Sequence, residues 1–240
     1  MTQNPKSGWA RRLPLLIVLA VAAIGAITLK DYLSFETLRD NREMLLAFRD
    51  DHLVATVVSF VLAYVLIVTF SLPGALPATL TGGFLFGTLG GSFLSVAGAT
   101  AGATLIFLAV KAGLGDRLEQ RLDESPGKVG KIKKGLDENQ WSMLFLMRLV
   151  PIVPFFVANL VPAFLAVPVH RYVISTFVGI IPGSLVYSSV GAGLSEVFAA
   201  GEAPNLGVIF EWHILLPILG LCLLSLLPVF VKAATRNLEL

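Results

Sequence analysis

Residues 141–166 read WSMLFLMRLVPIVPFFVANLVPAFLA. The stretch is apolar enough to enter a bilayer, yet it carries Arg148, Pro151, Pro154, Asn159 and Pro162. Proline removes a backbone donor and clashes with the preceding helical turn. An arginine at mid-membrane depth costs at least ~2.5–3.5 kcal/mol. Broken backbone at that depth is tolerated only where it is buried in protein or lines a wet cavity. The segment therefore predicts a re-entrant hairpin in a polytopic membrane protein, with a functional cation near its bend.

The rest of the chain fits this setting. Of its 240 residues 55% are hydrophobic and 14% charged, and the mean hydropathy is +0.80. Soluble domains carry about 25% charged residues. A net charge of +2, with no continuous basic patch, argues against a nucleic-acid partner. The single cysteine, Cys222, excludes a disulfide framework or a CxxC metal site within one chain. Residues 13–29 follow Arg11 and Arg12 and show no clean cleavage site, so they are expected to be a retained first span.

Apolar runs at 54–72, 92–112, 172–192 and 212–231 alternate with charged segments at 30–51 and 113–140. The 54–72 run continues into SLPGALPATLTGGFLFGTLGG, where Pro73, Gly74, Pro77, Gly82, Gly83 and Gly87 mark a bend and close packing. Residues 113–140 hold Arg117, Arg121, Lys128, Lys131, Lys133 and Lys134, whereas 193–211 have no Lys or Arg. The positive-inside rule then predicts both termini and the 113–140 loop in the cytoplasm, with 193–211 outside. Parity is satisfied only if 54–91 and 141–166 each dip in and return, from opposite faces.

The expected fold class is an all-α polytopic membrane protein. It has four full transmembrane helices plus two opposed re-entrant hairpins in an inverted repeat. Residues 1–53 hold the tail, first span and a loosely amphipathic surface segment. Residues 54–195 form the membrane core, with re-entrant 54–91, helix 92–112, cytoplasmic loop 113–140, re-entrant 141–166 and helix 170–192. Residues 196–240 hold an external loop, the last span and a cytoplasmic tail. A faint internal match supports the repeat. Pro73 pairs with Pro154, Phe84-Leu85 with Phe164-Leu165, Gly98 with Gly179 and Gly102 with Gly183, at offsets of 80 or 81. Inverted repeats with broken helices are a recurrent transporter design.

Arg148 has two readings. It could snorkel to the cytoplasmic headgroups, or bind an anionic headgroup or substrate through its planar fork. No acid occurs in 141–195 to neutralise it. Pro151 and Pro154 are expected to form the bend beside it and to line the substrate site, with Pro162 completing the reversal. Asn159 is expected to satisfy freed backbone groups or to touch the ligand. Gly83, Gly87 and Gly91 are expected to share one helix face for close packing. The glycine cluster lacks the lysine of a nucleotide loop. Lys111, His170 and Arg171 read as interfacial anchors. HExxH, a Cys/His cluster and paired intramembrane carboxylates do not occur. Ser184, Ser188, Ser189 and Ser195 lack a nearby base in sequence, so no enzyme, metal or cofactor is expected.

The phrase GGFLFGTLGG at 82–91, followed by FLMRLVPIVPFFVANLVPAF at 145–164, resembles the VTT-domain superfamily. That group includes bacterial DedA proteins and SNARE-associated Golgi proteins. The likeness covers roughly residues 54–195 and is nearest to the branch named after the yeast Golgi vesicle protein. It implies two opposed re-entrant hairpins, and a role in lipid scrambling, polyprenyl-phosphate flipping or membrane homeostasis. Arg148 and Pro151 match the family's arginine–proline motif. Pro154 stands where DedA proteins have a second arginine, and Ala75 where they have a glutamate after Pro-Gly. Both departures weigh against proton coupling and a pyrophosphate-like ligand.

The leading expectation is a lipid transporter or scramblase in the membrane, with a bacterial inner membrane as its setting. Its partners would be membrane lipids, including anionic phospholipid or polyprenyl phosphate, and a second copy of the chain is allowed. The alternatives are an ion-coupled small-solute transporter, which expects an intramembrane carboxylate, and a non-transporting membrane scaffold.

Overall fold

A computed structural model describes residues 35–72, 74–123, 139–150, 153–165 and 167–194, together with Ala20 and scattered positions between 207 and 226. The expected spans at 13–29 and most of 212–231 lie outside the described residues. So do most of the 113–140 and 193–211 loops, and Pro73 and Pro151. Every described element is a helix. Two short helices, α1 (Phe35–Asp40) and α2 (Arg42–Asp51), precede α3 (Leu53–Thr69). The run Ala75–Asp123 is broken at Gly87 into α4 (75–86) and α5 (88–123). Then follow α6 (Gln140–Leu149), α7 (Phe155–Phe164), α8 (Val169–Gly179) and α9 (Ile181–Ala192).

Burial is inverted relative to a soluble domain. Val54, Leu62, Leu66, Leu89, Phe93 and Phe177 are exposed, while Ser95, Asn159, Thr176 and Ser188 are buried. Exposed apolar side chains around a partly polar interior fit an apolar solvent. Among the described residues, the runs Ala75–Gly113 and Val169–Ala192 are apolar over a membrane-crossing length, and the break at Gly87 leaves 88–113 as the unbroken part of the first.

The chain reverses twice in its first half, and each reversal has a local cause. At the end of α3 the Leu72 N–H donates to Ile67 O (2.8 Å) and the Ser71 N–H to Val68 O (3.1 Å). Ser71 sits at φ 50°, so this is a Schellman-type stop with a serine in the left-handed position. Gly74, at φ 141°, lets the chain turn into α4. Pro77 is not at the bend. It lies in the first turn of α4, where its missing N–H has no intrahelical partner to lose.

The second reversal falls at Gly87, with φ 73° and ψ 177°. This overturns the expectation that Gly83, Gly87 and Gly91 share one helix face. The chain folds back on itself there, so a Cβ at Gly91 would strike the backbone of Gly82 and Gly83. Gly83 instead faces the backbone of Ser188.

As a result α3 and α4 are antiparallel: the Tyr64 hydroxyl meets Thr79, and the Phe60 ring meets that of Phe86. Helices α3 and α5 are parallel, with Tyr64 against Gly98 and Val68 against Gly102. The second half repeats the path. Val150 is extended (ψ 111°), as a residue before proline prefers, and Pro154 (ψ 134°) caps α7. Pro162, expected at the reversal, lies inside the last turns of α7. The reversal follows it, and the Val167 N–H donates back to Pro162 O at 3.0 Å.

The two halves interlock. Helix α4 crosses α9, where Gly83 and Gly191 bring backbone onto backbone at Ser188 and Leu80. The counterpart crossing packs Ala163 of α7 into one core with Phe107 of α5. Tyr172 of α8 stacks on Phe107 with ring centroids 4.3 Å apart. Each short helix thus packs on the long helix of the other half. Outside this core, Leu38 of α1 packs with Leu80, Phe84 and Leu85, and Arg49 Nη1 donates to Leu85 O at 2.9 Å, near the end of α4.

Candidate functional site

A cavity of about 230 Å³ lies between the halves. The first half lines it with Tyr64, Ala75, Thr79 and Ser95, and the second with Arg148, Phe155, Gly183 and Tyr187, among others. At about 30 Å³ per water, it has room for roughly eight waters. That is room for a small headgroup, in a lining that is mostly apolar around Arg148.

Arg148 reaches the cavity from the last turn of α6. Its stem rests on Gly179, where an added Cβ would come within 2.7 Å of Arg148 Cβ. Its Nη1 donates to Asn159 Oδ1 (2.7 Å) and its Nη2 to Thr176 Oγ1 (2.8 Å). The guanidinium carbon lies 5.1 Å from the Tyr172 ring centroid and 5.5 Å from that of Phe155. A guanidinium has five N–H donors, so these two bonds leave three for a ligand. The partners are neutral, and no ion pair to Arg148 occurs among the described residues. The snorkelling reading loses ground to this geometry, because the head is fixed inward by two hydrogen bonds and two rings.

Asn159 takes a different role from either expectation. It is 1% exposed, and its Oδ1 accepts from both Arg148 and the Tyr172 hydroxyl (3.1 Å). Through that oxygen it positions the arginine. The Tyr172 hydroxyl also lies 3.2 Å from Ala103 O, which ties the arrangement to α5. Pro154 caps α7 and is not among the residues lining the cavity; Gly82 is buried against Phe60 and Ser95. Arg171 donates to Gln140 Oε1 at 2.9 Å, away from the cavity.

Tyr64, Thr79, Ser95, Tyr172 and Thr176 escaped the sequence reading. A signal was present, since Thr79 and Asn159 are 80 residues apart and Ser95 and Thr176 are 81 apart, the offset of the glycine pairs. Extending the repeat match to polar residues would have found Thr79, Ser95 and Thr176, but neither tyrosine.

The sequence profile of the family described as the VTT domain matches residues 72–193. The chain is also similar to the transmembrane protein 41 homolog of Drosophila melanogaster, 31% identical over 58% of this chain and 41% of that protein. The Dictyostelium discoideum homolog is 28% identical over 56% of this chain and 38% of its own length. Transmembrane protein 41B of Gallus gallus is 29% identical over 42% and 36%. The chain thus spans less than half the length of these curated relatives. No solved structure matches it.

Proposed function

The chain belongs to the VTT domain family and is an integral membrane protein, and on that premise we propose that it moves phosphate-bearing lipids between the two leaflets. The observation that carries this reading is Arg148, a cation held at a cavity shared by both halves with neutral partners only. A cation in a small, partly desolvated space attracts an anion, and a phosphate accepts two parallel N–H bonds from a guanidinium. The cavity holds the headgroup while the acyl chains stay in lipid. No carboxylate lines it among the described residues, which favours lipid movement over ion-coupled solute transport.

In the proposed topology α3–α4 and α6–α7 are re-entrant hairpins entering from opposite faces, between four full spans. Both termini and the 113–140 loop lie in the cytoplasm of a bacterial inner membrane, although the relatives named above are eukaryotic. The exposed residues His52 and His170 then lie on opposite sides. Helix packing supports this, because α3 runs parallel to α5, and α8 and α9 run antiparallel to it with Tyr172 of α8 near Phe107 and Ser184 of α9 near Ser92. In a Cys222→Ser background, His52→Cys and His170→Cys should be labelled by an impermeant reagent from opposite faces. Labelling from one face rules out the two-hairpin topology.

The functional test is reconstitution in liposomes with fluorescent phospholipids. Wild-type protein should equilibrate the leaflets. Arg148→Ala should lose most of the rate in protein that remains monodisperse, and Arg148→Lys should recover part of it. Wild-type transport by Arg148→Ala refutes the headgroup role.

A further inference from the structure

A second space, of about 310 Å³, lies between the α1–α2 pair and the α3–α4 hairpin. Phe60, Ala63, Tyr64 and Ile67 form one wall, at the i, i+3, i+4, i+7 spacing of a single face of α3. Leu38, Met44 and Leu45 form the facing wall, and α4 closes a third side with Pro77, Ala78 and Thr81. The α1–α2 pair is amphipathic. Leu38, Leu45 and Leu46 pack on Leu80, Phe84 and Leu85, while Arg39, Asp40 and Glu43 are exposed. That is the pattern of helices lying in a membrane surface, which sets the groove beneath the headgroups. Its rim carries the exposed Met44 and Ala63, and Ala63 adjoins Leu62 and Leu66 on the bare apolar face of α3.

Chemistry and size select the occupant. The polar side chains of the lining already bond within the protein. Asn41 Nδ2 donates to Thr37 O at 2.8 Å, Thr81 Oγ1 donates to Pro77 O at 2.9 Å, and the Tyr64 hydroxyl is shared between Thr79 and Ala75 O. An ordered water needs two to four polar partners, so the groove is poorly suited to water. A protein helix is too thick for it. One turn of α-helix with its side chains fills roughly 420 Å³, from a diameter of about 10 Å and a pitch of about 5.4 Å. The groove is smaller than that single turn, so it admits neither the span expected at 13–29 nor a helix of a second copy. A methylene chain is thin, has no hydrogen bond to satisfy, and is the solvent that meets the α3 face beside the rim.

We propose that the groove between α1–α2 and the first hairpin binds one acyl chain of a membrane lipid, whose headgroup stays at the level of the charged face of α1–α2. Lipid tails are as apolar as the groove walls, so the chain is held by van der Waals contact with three helical elements rather than by transfer from water. The site is separate from the Arg148 cavity, and Tyr64 borders both. It does not depend on the phosphate reading of Arg148.

The test is photolabelling of the full chain. Protein is reconstituted with phosphatidylcholine carrying a diazirine on one acyl chain, extracted in detergent, and stripped of bulk lipid by gel filtration. It is then irradiated and the adducts are mapped by peptide mass. Wild-type protein should retain label on groove residues such as Met44, Ile67 and Ala78, and far less on Leu62, Leu66 and Phe93, which face bulk lipid. Ala63→Phe fills the groove from one wall and Thr81→Leu from another, and each should remove most of the groove label from protein that stays monodisperse. Arg148→Ala should keep it, whatever that variant does to lipid movement. Label spread evenly over exposed positions means an ordinary lipid annulus and overturns the site. Absence of groove label in wild type means that protein closes the groove and overturns it as well. Groove label that survives both filling variants does the same. Groove label in a protein that moves no lipid in liposomes leaves the acyl site standing and sinks the transport reading.

Discussion

On Gly179 of the second repeat rests an arginine; on Gly98 of the first, 81 residues earlier, rests a tyrosine. Both side chains line one cavity, and each is held by a polar residue of the short helix that follows. The scaffold is duplicated and the chemistry is not. Two arginines in so small a space would repel each other, whereas one cation facing hydroxyls leaves the cavity with a net attraction for an anion and a direction to it. The glycines diverge in the same way. Gly102 would strike Val65 O and Val68 Cβ if it gained a Cβ, while its counterpart Gly183 has nothing within 4 Å and opens onto the cavity.

The sharpest way to break this comparison is at the crossing the repeats share. Gly83→Ala drives a methyl into the Ser188 backbone, which a rotamer change cannot relieve. It should destabilise the protein by about 3 kcal/mol or more, read as loss of monodisperse protein or a large fall in melting temperature. Next comes the charge. Arg148→Ala should slow lipid movement at least about tenfold, since it removes a charge-assisted contact; Arg171→Ala, whose bond to Gln140 lies away from the cavity, should do much less. Gly87→Ala meets open space but inherits a φ of 73°. Its cost should be backbone strain alone, about 1–2 kcal/mol in an unfolding titration. Arg49→Ala loses the bond to Leu85 O and should cost about 1 kcal/mol. Smallest of all, Gly183→Ala should change stability by less than about 0.5 kcal/mol, while Gly102→Ala is clearly destabilising. Equal effects at Gly102 and Gly183 would mean that the repeats are not differentiated as described.

The helix breakers made the broken path legible in the sequence, because proline and glycine act locally. Their assignments were less exact. Pro77 and Pro162 sit inside helices, since a first turn has no N–H bond to lose and a last turn can tolerate one lost. Gly87 looked like a packing glycine because periodicity assumes a continuous helix, and a left-handed φ leaves no trace in spacing. Arg148 was visible as a misplaced charge. Its neutral partners were not, because Asn159 and Thr176 come from two other helices and no rule of sequence spacing joins them to Arg148. Ser95 and Thr79 read as ordinary small residues of membrane helices until the repeat placed them opposite the arginine.

The crossing of α4 and α9 bears on how the protein is made. Gly83 and Leu80 leave the ribosome about a hundred residues before Ser188 and Gly191, the positions they pack against. At ~5–20 residues per second, α4 waits roughly 5–20 s for its partner. During that interval the face of α4 that carries Leu80 and Gly83 lacks its partner on α9. The first repeat is therefore an unfinished structure when it enters the membrane. Its correct placement depends on whatever shelters it until the second repeat arrives.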